Sequence, residues 1–201
     1  MNLAQVVLIP TFASFLAALL VTPLVIYLAK RFGFIDDPKT HKHPAILHTK
    51  IIPRAGGLAL YLAIIPLSFF ILPFDKKLLG IAIGATLAVI IGVLDDKRDL
   101  NPYLRLGSNF LVAAIAVASG IGISFITNPF GGVIRLDTLR VTFDFFGPHS
   151  IFVLADIFAI FWIAWVMNML NWSKGVDGQM PGIAAIVAFV LGLLALRVFE
   201  D

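Results

Sequence analysis

The stretch Leu78–Gly107, LLGIAIGATLAVIIGVLDDKRDLNPYLRLG, decides the fold. From Leu78 to Leu94 it holds no charged residue, and then Asp95, Asp96, Lys97, Arg98 and Asp99 follow in succession. A run of this kind marks a helix crossing the hydrocarbon core, where about 20 mostly apolar residues are needed because no water satisfies loose backbone groups. The charges that end it mark the membrane surface. The whole chain agrees: of 201 residues 60% are hydrophobic and 13% charged, and the mean hydropathy is +0.98, outside the range of a soluble domain of this length.

Working outward, helices are predicted near 3–29, 57–73, 78–94, 106–127, 151–170 and 182–199. The fold class is therefore all-α integral membrane, with six transmembrane helices in one transmembrane domain over 1–201. The first run lacks a basic leader and a small-residue cleavage site, so it reads as a retained helix. Only Phe74–Lys77 separates the second and third helices, which predicts a tight hairpin.

Between 128 and 150, the segment GVIRLDTLRVTFDFFG (Gly132–Gly147) alternates Val133, Leu136, Val141, Phe143 and Phe145 with polar residues. This predicts one short amphipathic β-hairpin at the outer surface, in a structural role.

Orientation follows from loop charge. The loops at 30–56, 95–105 and 171–181 carry Lys30, Arg31, Lys39, Lys42, Lys50, Arg54, Lys97, Arg98, Arg105 and Lys174, against Lys76, Lys77, Arg135 and Arg140 in the others. Ten against four puts the first set in the cytoplasm and the N-terminus outside a multi-pass cell-membrane protein. The net charge of +3 is spread over these loops and calls for no nucleic-acid partner. With no Cys, disulfides and cysteine-ligated metals are excluded, and any metal sits on oxygen or imidazole.

The dense polar clusters all fall in the cytoplasmic loops. Residues three or four apart share a helix face, so Asp96 and Asp99 face one site while Asp95 approaches from the side. Solvated acids at a helix end are the simple alternative. Three acids at the negative end of a helix, however, are disfavoured unless a cation compensates them. Mg²⁺ suits oxygen ligands and bridges carboxylates to phosphate, with Mn²⁺ as a substitute, so Asp95 and Asp96 are the candidate catalytic and metal-ligating residues.

In the first loop, KRFGFIDDPKTHKHPAILHTKIIPRAGG (Lys30–Gly57), the basic residues suit anionic membrane lipid. Its ending, Pro53-Arg54-Ala55-Gly56-Gly57, suits a phosphate approaching the backbone at a helix N-terminus, with His48 and Arg54 as cationic donors. In the third, NMLNWSKGVDGQMPG (Asn168–Gly182), Asn168 and Asn171 lie one turn apart before a Gly-rich turn holding Asp177. Amides and a carboxylate in such a turn suit a base or sugar edge, and a plain loop is the alternative.

Together, and in this order, Asp37-Pro38 with HTKIIPRAGG, GVLDDKRDLNPYLRLGSN, and NMLNWSKGVDGQMPG resemble the polyprenyl-phosphate N-acetylhexosamine-1-phosphate transferases, the superfamily that includes phospho-N-acetylmuramoyl-pentapeptide transferase. The resemblance spans about 30–182. It implies transfer of a sugar phosphate from a UDP-sugar donor to a polyprenyl phosphate acceptor, releasing UMP, in cell-wall or surface-glycan synthesis. Asp95 and Asp96 then serve the magnesium diphosphate and acceptor phosphate, and Asn171 and Asp177 help hold the nucleotide. With Asp37, His48, Arg54, Asp99, Asn168 and Lys174 these complete the expected substrate-binding set. A homodimer is compatible with this reading.

Three positions depart from the family pattern. Lys174 stands where an Asp is usual, Gln179 replaces a Leu, and KTHKHPAIL lengthens the first loop. Family members have about ten helices, so the expectation is the N-terminal fragment of a longer polytopic enzyme, inactive on its own. From other functional classes, a secondary transporter or an inactive lipid-phosphate-binding relative are the alternatives. A transporter places binding groups near the bilayer midplane, where the sole clear acid, Asp156, lies close to the outer end of its helix.

Overall fold

The protein is described from a computed structural model, which covers residues 7–37, 51–98, 100–144, 148–173 and 178–200. The chain divides into two compact units, one of residues up to Leu67 together with those from Met167 onward, the other Ser68–Val166.

In the first unit, α1 (Ile9–Phe32) opens with Pro10 in its first turn and carries Pro23 inside. The Thr22 hydroxyl donates to the Ala18 carbonyl at 2.6 Å, a local bond beside the proline that cannot donate one. Lys30 and Arg31 occupy the last turn, where positive charge suits the helix dipole. Gly33 then stops the helix in the left-handed region, φ 76°, which a side chain disfavours.

Beyond it, β1 (Ile35–Asp36) pairs antiparallel with β2 (Ile52–Pro53), and the Arg54 amide donates to the Phe34 carbonyl at 2.8 Å. These short strands bring the two ends of the first long loop together. The chain continues into α2 (Gly56–Ile71). The sequence reading had no strands here, because two residues are too few to show a period.

The second unit is organised by α3 (Lys76–Arg98) and α4 (Pro102–Ala118). Asp75 caps α3, its carboxylate accepting the Leu78 amide at 2.7 Å. Asn101 caps α4 by accepting the Tyr103 amide at 2.9 Å, with Pro102 in the first turn. The two helices run antiparallel through small residues. A Cβ on Gly80 would overlap the Ser119 side chain, and one on Gly84 would lie 3.6 Å from Val112. Lipid tails give helices no hydrophobic reason to associate, so close backbone approach through glycine and alanine supplies the packing. The same applies to α5 (Val153–Trp172), where Ala155 and Ala159 are buried and Phe161 meets Phe110 of α4 edge-on at 5.3 Å.

The α4 boundaries differ from the predicted 106–127. The helix starts at its Asn-Pro signal and ends at Ser119, and Phe125–Thr127 is strand β3, paired with β4 (Val133–Arg135). The single expected hairpin is likewise two. Val133–Arg135 pairs backward with β3, while β5 (Arg140–Asp144) pairs forward with β6 (Pro148–Phe152). Alternation identifies a strand but not its partner.

All six predicted helices are present, the last as α6 (Gln179–Glu200). Among the described residues four of them, α1, α3, α5 and α6, are long and apolar enough to span a membrane, while α2 and α4 are shorter, at 16 and 17 residues. Their exposed side chains are largely Leu, Ile, Val and Phe, the surface that a bilayer rather than water accommodates. The protein is a multi-pass membrane protein.

Candidate functional site: the acidic end of α3

Asp95 and Asp96 lie inside the last turn of α3, one residue pair before the basic Lys97 and Arg98 that end it. The Asp95 carboxylate closes the turn into α4. Its Oδ1 accepts the Leu100 amide at 2.9 Å and the Arg105 Nε–H at 2.7 Å. This ion pair is partly sheltered, with 20% of the Asp95 side chain and 34% of the Arg105 side chain exposed. Part of the positive charge that the acids require at the negative end of a helix is thus supplied by the protein itself. Arg105 entered the sequence reading only as a loop charge; its spacing of ten from Asp95 is not a helical one, and only the turn at Leu100–Asn101 brings it back. Asp96 is half-buried beside Asp95, and Asp99 lies outside the described residues.

In the first unit, Arg54 Nη2 donates to Asp36 Oδ2 at 3.0 Å, both side chains being mostly buried. The β1–β2 pairing places them together. The acid the structure brings to Arg54 is Asp36, which the sequence reading passed over in favour of its neighbour Asp37; Asp37 is half-exposed at the end of β1. A Cβ on Gly56 or Gly57 would meet nothing within 4 Å, so these glycines leave open space at the start of α2 rather than filling a packing need. His48 lies outside the described residues.

Asn168 and Asn171 are half-exposed in the last turns of α5. The Ser173 hydroxyl returns to the Leu170 carbonyl at 2.8 Å. Gly178 adopts φ 80° and accepts the Gly182 amide at 2.9 Å as α6 begins. Lys174 and Asp177 lie outside the described residues.

Other charged groups have local duties. Asp156, in the first turn of α5, accepts the Phe152 amide at 3.0 Å, which satisfies a backbone donor at a helix start. It lies in the first turn of α5 rather than mid-helix and is committed to a backbone donor, which gives the transporter alternative no support. Arg135 and Asp137 form a two-bond pair, Nε to Oδ1 at 2.9 Å and Nη2 to Oδ2 at 2.6 Å. The Arg135 hydrogen bond holds the Asp137 carboxyl below its usual range, and that same bond raises the guanidinium.

Among the described residues no group of three or more His, Asp or Glu side chains gathers as a metal cage. What α3 offers is an adjacent pair of carboxylates. That donor set fits Mg²⁺, which keeps several waters and is held by one or two carboxylates plus substrate phosphate.

Comparison with known proteins points the same way. The profile of glycosyl transferase family 4 matches residues 78–200, from the start of α3 to the end of α6. The chain is 28% identical over 185 residues to a probable undecaprenyl-phosphate N-acetylglucosaminyl 1-phosphate transferase of Bacillus subtilis, covering 91% of this chain and 46% of the relative. It is 23% identical to a decaprenyl-phosphate N-acetylglucosaminephosphotransferase of Mycolicibacterium smegmatis, covering 87% and 41%. It is 28% identical to a phospho-N-acetylmuramoyl-pentapeptide-transferase of Chlorobaculum tepidum, covering 92% and 53%. The chain thus spans about half the length of the curated relatives it matches. No solved structure matches. A profile match that runs through the acidic end of α3 and over more than half of the chain settles the family: this membrane protein belongs to glycosyl transferase family 4.

Proposed function

We propose that the protein transfers an N-acetylhexosamine-1-phosphate from a UDP-sugar to a polyprenyl phosphate at the cytoplasmic surface of the cell membrane. An oxygen of the acceptor phosphate attacks the β-phosphorus of the donor. The bond to the bridging oxygen breaks, and UMP leaves with that electron pair. The observation that carries the reading is the acidic pair Asp95–Asp96 at the end of a membrane-length helix, with Asp95 held by α4. An isoprenoid reaches its site only from the bilayer and a nucleotide sugar only from water. The end of a spanning helix is where the two meet. Relatives that act on polyprenyl phosphates, by their printed names, support the same class of acceptor.

Phosphoryl transfer of this kind is mostly positioning and charge stabilisation. Asp95 and Asp96 would hold Mg²⁺, or Mn²⁺ in its place, which when bound supplies charge neutralisation across the phosphates. Arg54, close to the open backbone at Gly56 and Gly57, would orient phosphate oxygens, a role His48 would share, and Asp37 and Asp99 would complete the substrate-binding set. Asn168, Asn171 and Asp177 would take base and sugar edges, and Lys174 a diphosphate oxygen.

The test uses membranes holding the full-length protein, radiolabelled UDP-N-acetylglucosamine and undecaprenyl phosphate. Labelled lipid should form with Mg²⁺. Asp96→Asn should lower turnover by about 10² or more, as expected for a group stabilising charge at such a site. Asp137→Asn, in the hairpin region, should be nearly silent. No labelled lipid from any UDP-N-acetylhexosamine would sink the reading, and equal losses in both variants would assign the acids to folding.

A further inference from the structure

The two oxygens of Asp95 are in unequal circumstances. Oδ1 accepts both the Leu100 amide and the Arg105 Nε–H, at 2.9 and 2.7 Å. Among the described residues no hydrogen bond reaches Oδ2, and the side chain keeps part of its surface open. Arg105 likewise commits only Nε. The contrast within the same molecule is Arg135–Asp137, where both carboxylate oxygens and two guanidinium nitrogens are engaged. A pair that merely staples two segments gains most from that two-bond geometry. Asp95–Arg105 forgoes it.

We propose that Arg105 is a positioning residue for the acidic pair: with the Leu100 amide it ties down Oδ1 of Asp95, so that Oδ2 is the oxygen left for a divalent cation. The inference rests on the transferase reading above. Three features make the arrangement effective. The amide and the guanidinium are fixed by backbone and by α4, so the carboxylate loses little further freedom when the cation binds. The guanidinium offsets the repulsion among Asp95, Asp96 and the negative end of α3. Its contact is made through Nε to Oδ1 alone, which leaves Oδ2 without a hydrogen bond among the described residues. Partners that orient a metal-binding side chain in this way commonly change metal affinity or activity by about 10- to 100-fold when removed.

The experiment measures Mn²⁺ binding by electron paramagnetic resonance in the purified full-length protein with UDP present, alongside lipid-product turnover and thermal unfolding. Arg105→Ala should weaken Mn²⁺ binding by about 10-fold or more and lower kcat, with KM for the UDP-sugar nearly unchanged. Arg105→Gln, which keeps a donor for Oδ1 without the charge, should recover part of the loss. If Arg105→Ala fails to fold, Arg105→Gln and Arg105→Lys carry the same comparison against wild type. Wild type that makes product, with Mn²⁺ affinity unaltered in these variants, would overturn the positioning role alone. Wild type that binds no Mn²⁺ and makes no lipid product would overturn the transferase reading, and this role with it.

Discussion

Gly80 of α3 and Ser119 at the end of α4 approach so closely that a Cβ on the glycine would overlap the serine side chain. Ser119 is itself buried, and its hydroxyl donates to the Ala116 carbonyl at 2.6 Å, so it has little freedom to withdraw. Gly80→Ala should therefore destabilise the protein by about 1–3 kcal/mol, the usual cost of overfilling a packed interface. Gly84→Ala, whose Cβ would sit at ordinary contact distance from Val112, should be tolerated. Melting temperatures in detergent decide the matter, and Ser119→Gly placed on Gly80→Ala should restore part of the loss.

Asp156 provides a different kind of check. Its carboxylate satisfies the Phe152 amide where β6 passes into α5, so Asp156→Ala should cost about 1 kcal/mol of stability, as for a lost helix cap. Turnover per folded molecule should stay at the wild-type level. A loss of turnover well beyond the loss of folded protein would give this acid a part in the chemistry.

The Arg135–Asp137 pair makes a prediction about pH. Because folding lowers the Asp137 carboxyl, the native state binds fewer protons there than the unfolded chain. Its small contribution is then fully present above the ordinary carboxylate range and is lost as pH falls through the lowered value. A carbon-13 titration should find Asp137 ionised below the usual carboxylate pH, and Arg135→Gln should return it to normal. The Arg135 side chain lies mostly in solvent, so added salt should shrink the shift.

Sidedness can be read by labelling, since the chain has no cysteine of its own. Lys97→Cys, at the end of α3, should react with an impermeant thiol reagent from the cytoplasm, and Asp137→Cys, after β4, from outside. The expectation comes from the loop charge bias, which governs orientation. Reaction of both from one side would refute the assigned topology.

The helices were legible because a bilayer imposes a long apolar run, and α3 and α5 fall almost where hydropathy puts them. What hydropathy cannot do is separate a helix from the apolar strand that follows it. Ile121–Thr127 looks like more of α4, yet Ser119 and Gly120, φ 98°, stop the helix before β3. The start of α4 was readable from Asn101-Pro102, a cap and first-turn proline that the apolar run overshadowed. At the site, Asp95 and Asp96 stood out as charges ending a membrane helix. Their surroundings did not, because Arg105 and Asp36 acquire their partners only through a turn and a strand pairing that no local period encodes.

The α3–α4 hairpin is keyed at both ends, by steric fit at Gly80–Ser119 and by the ion pair at Asp95–Arg105. Along α3 the two keys are about 22 Å apart at 1.5 Å per residue. Sliding α4 by one helical turn, about 5.4 Å, would jam the first and break the second together, so the hairpin works as a vernier with a single reading. The Gly80–Ser119 end of the hairpin thereby sets the alignment of the end that holds Asp95 and Asp96, and a methyl group added at one end becomes an error in aim at the other.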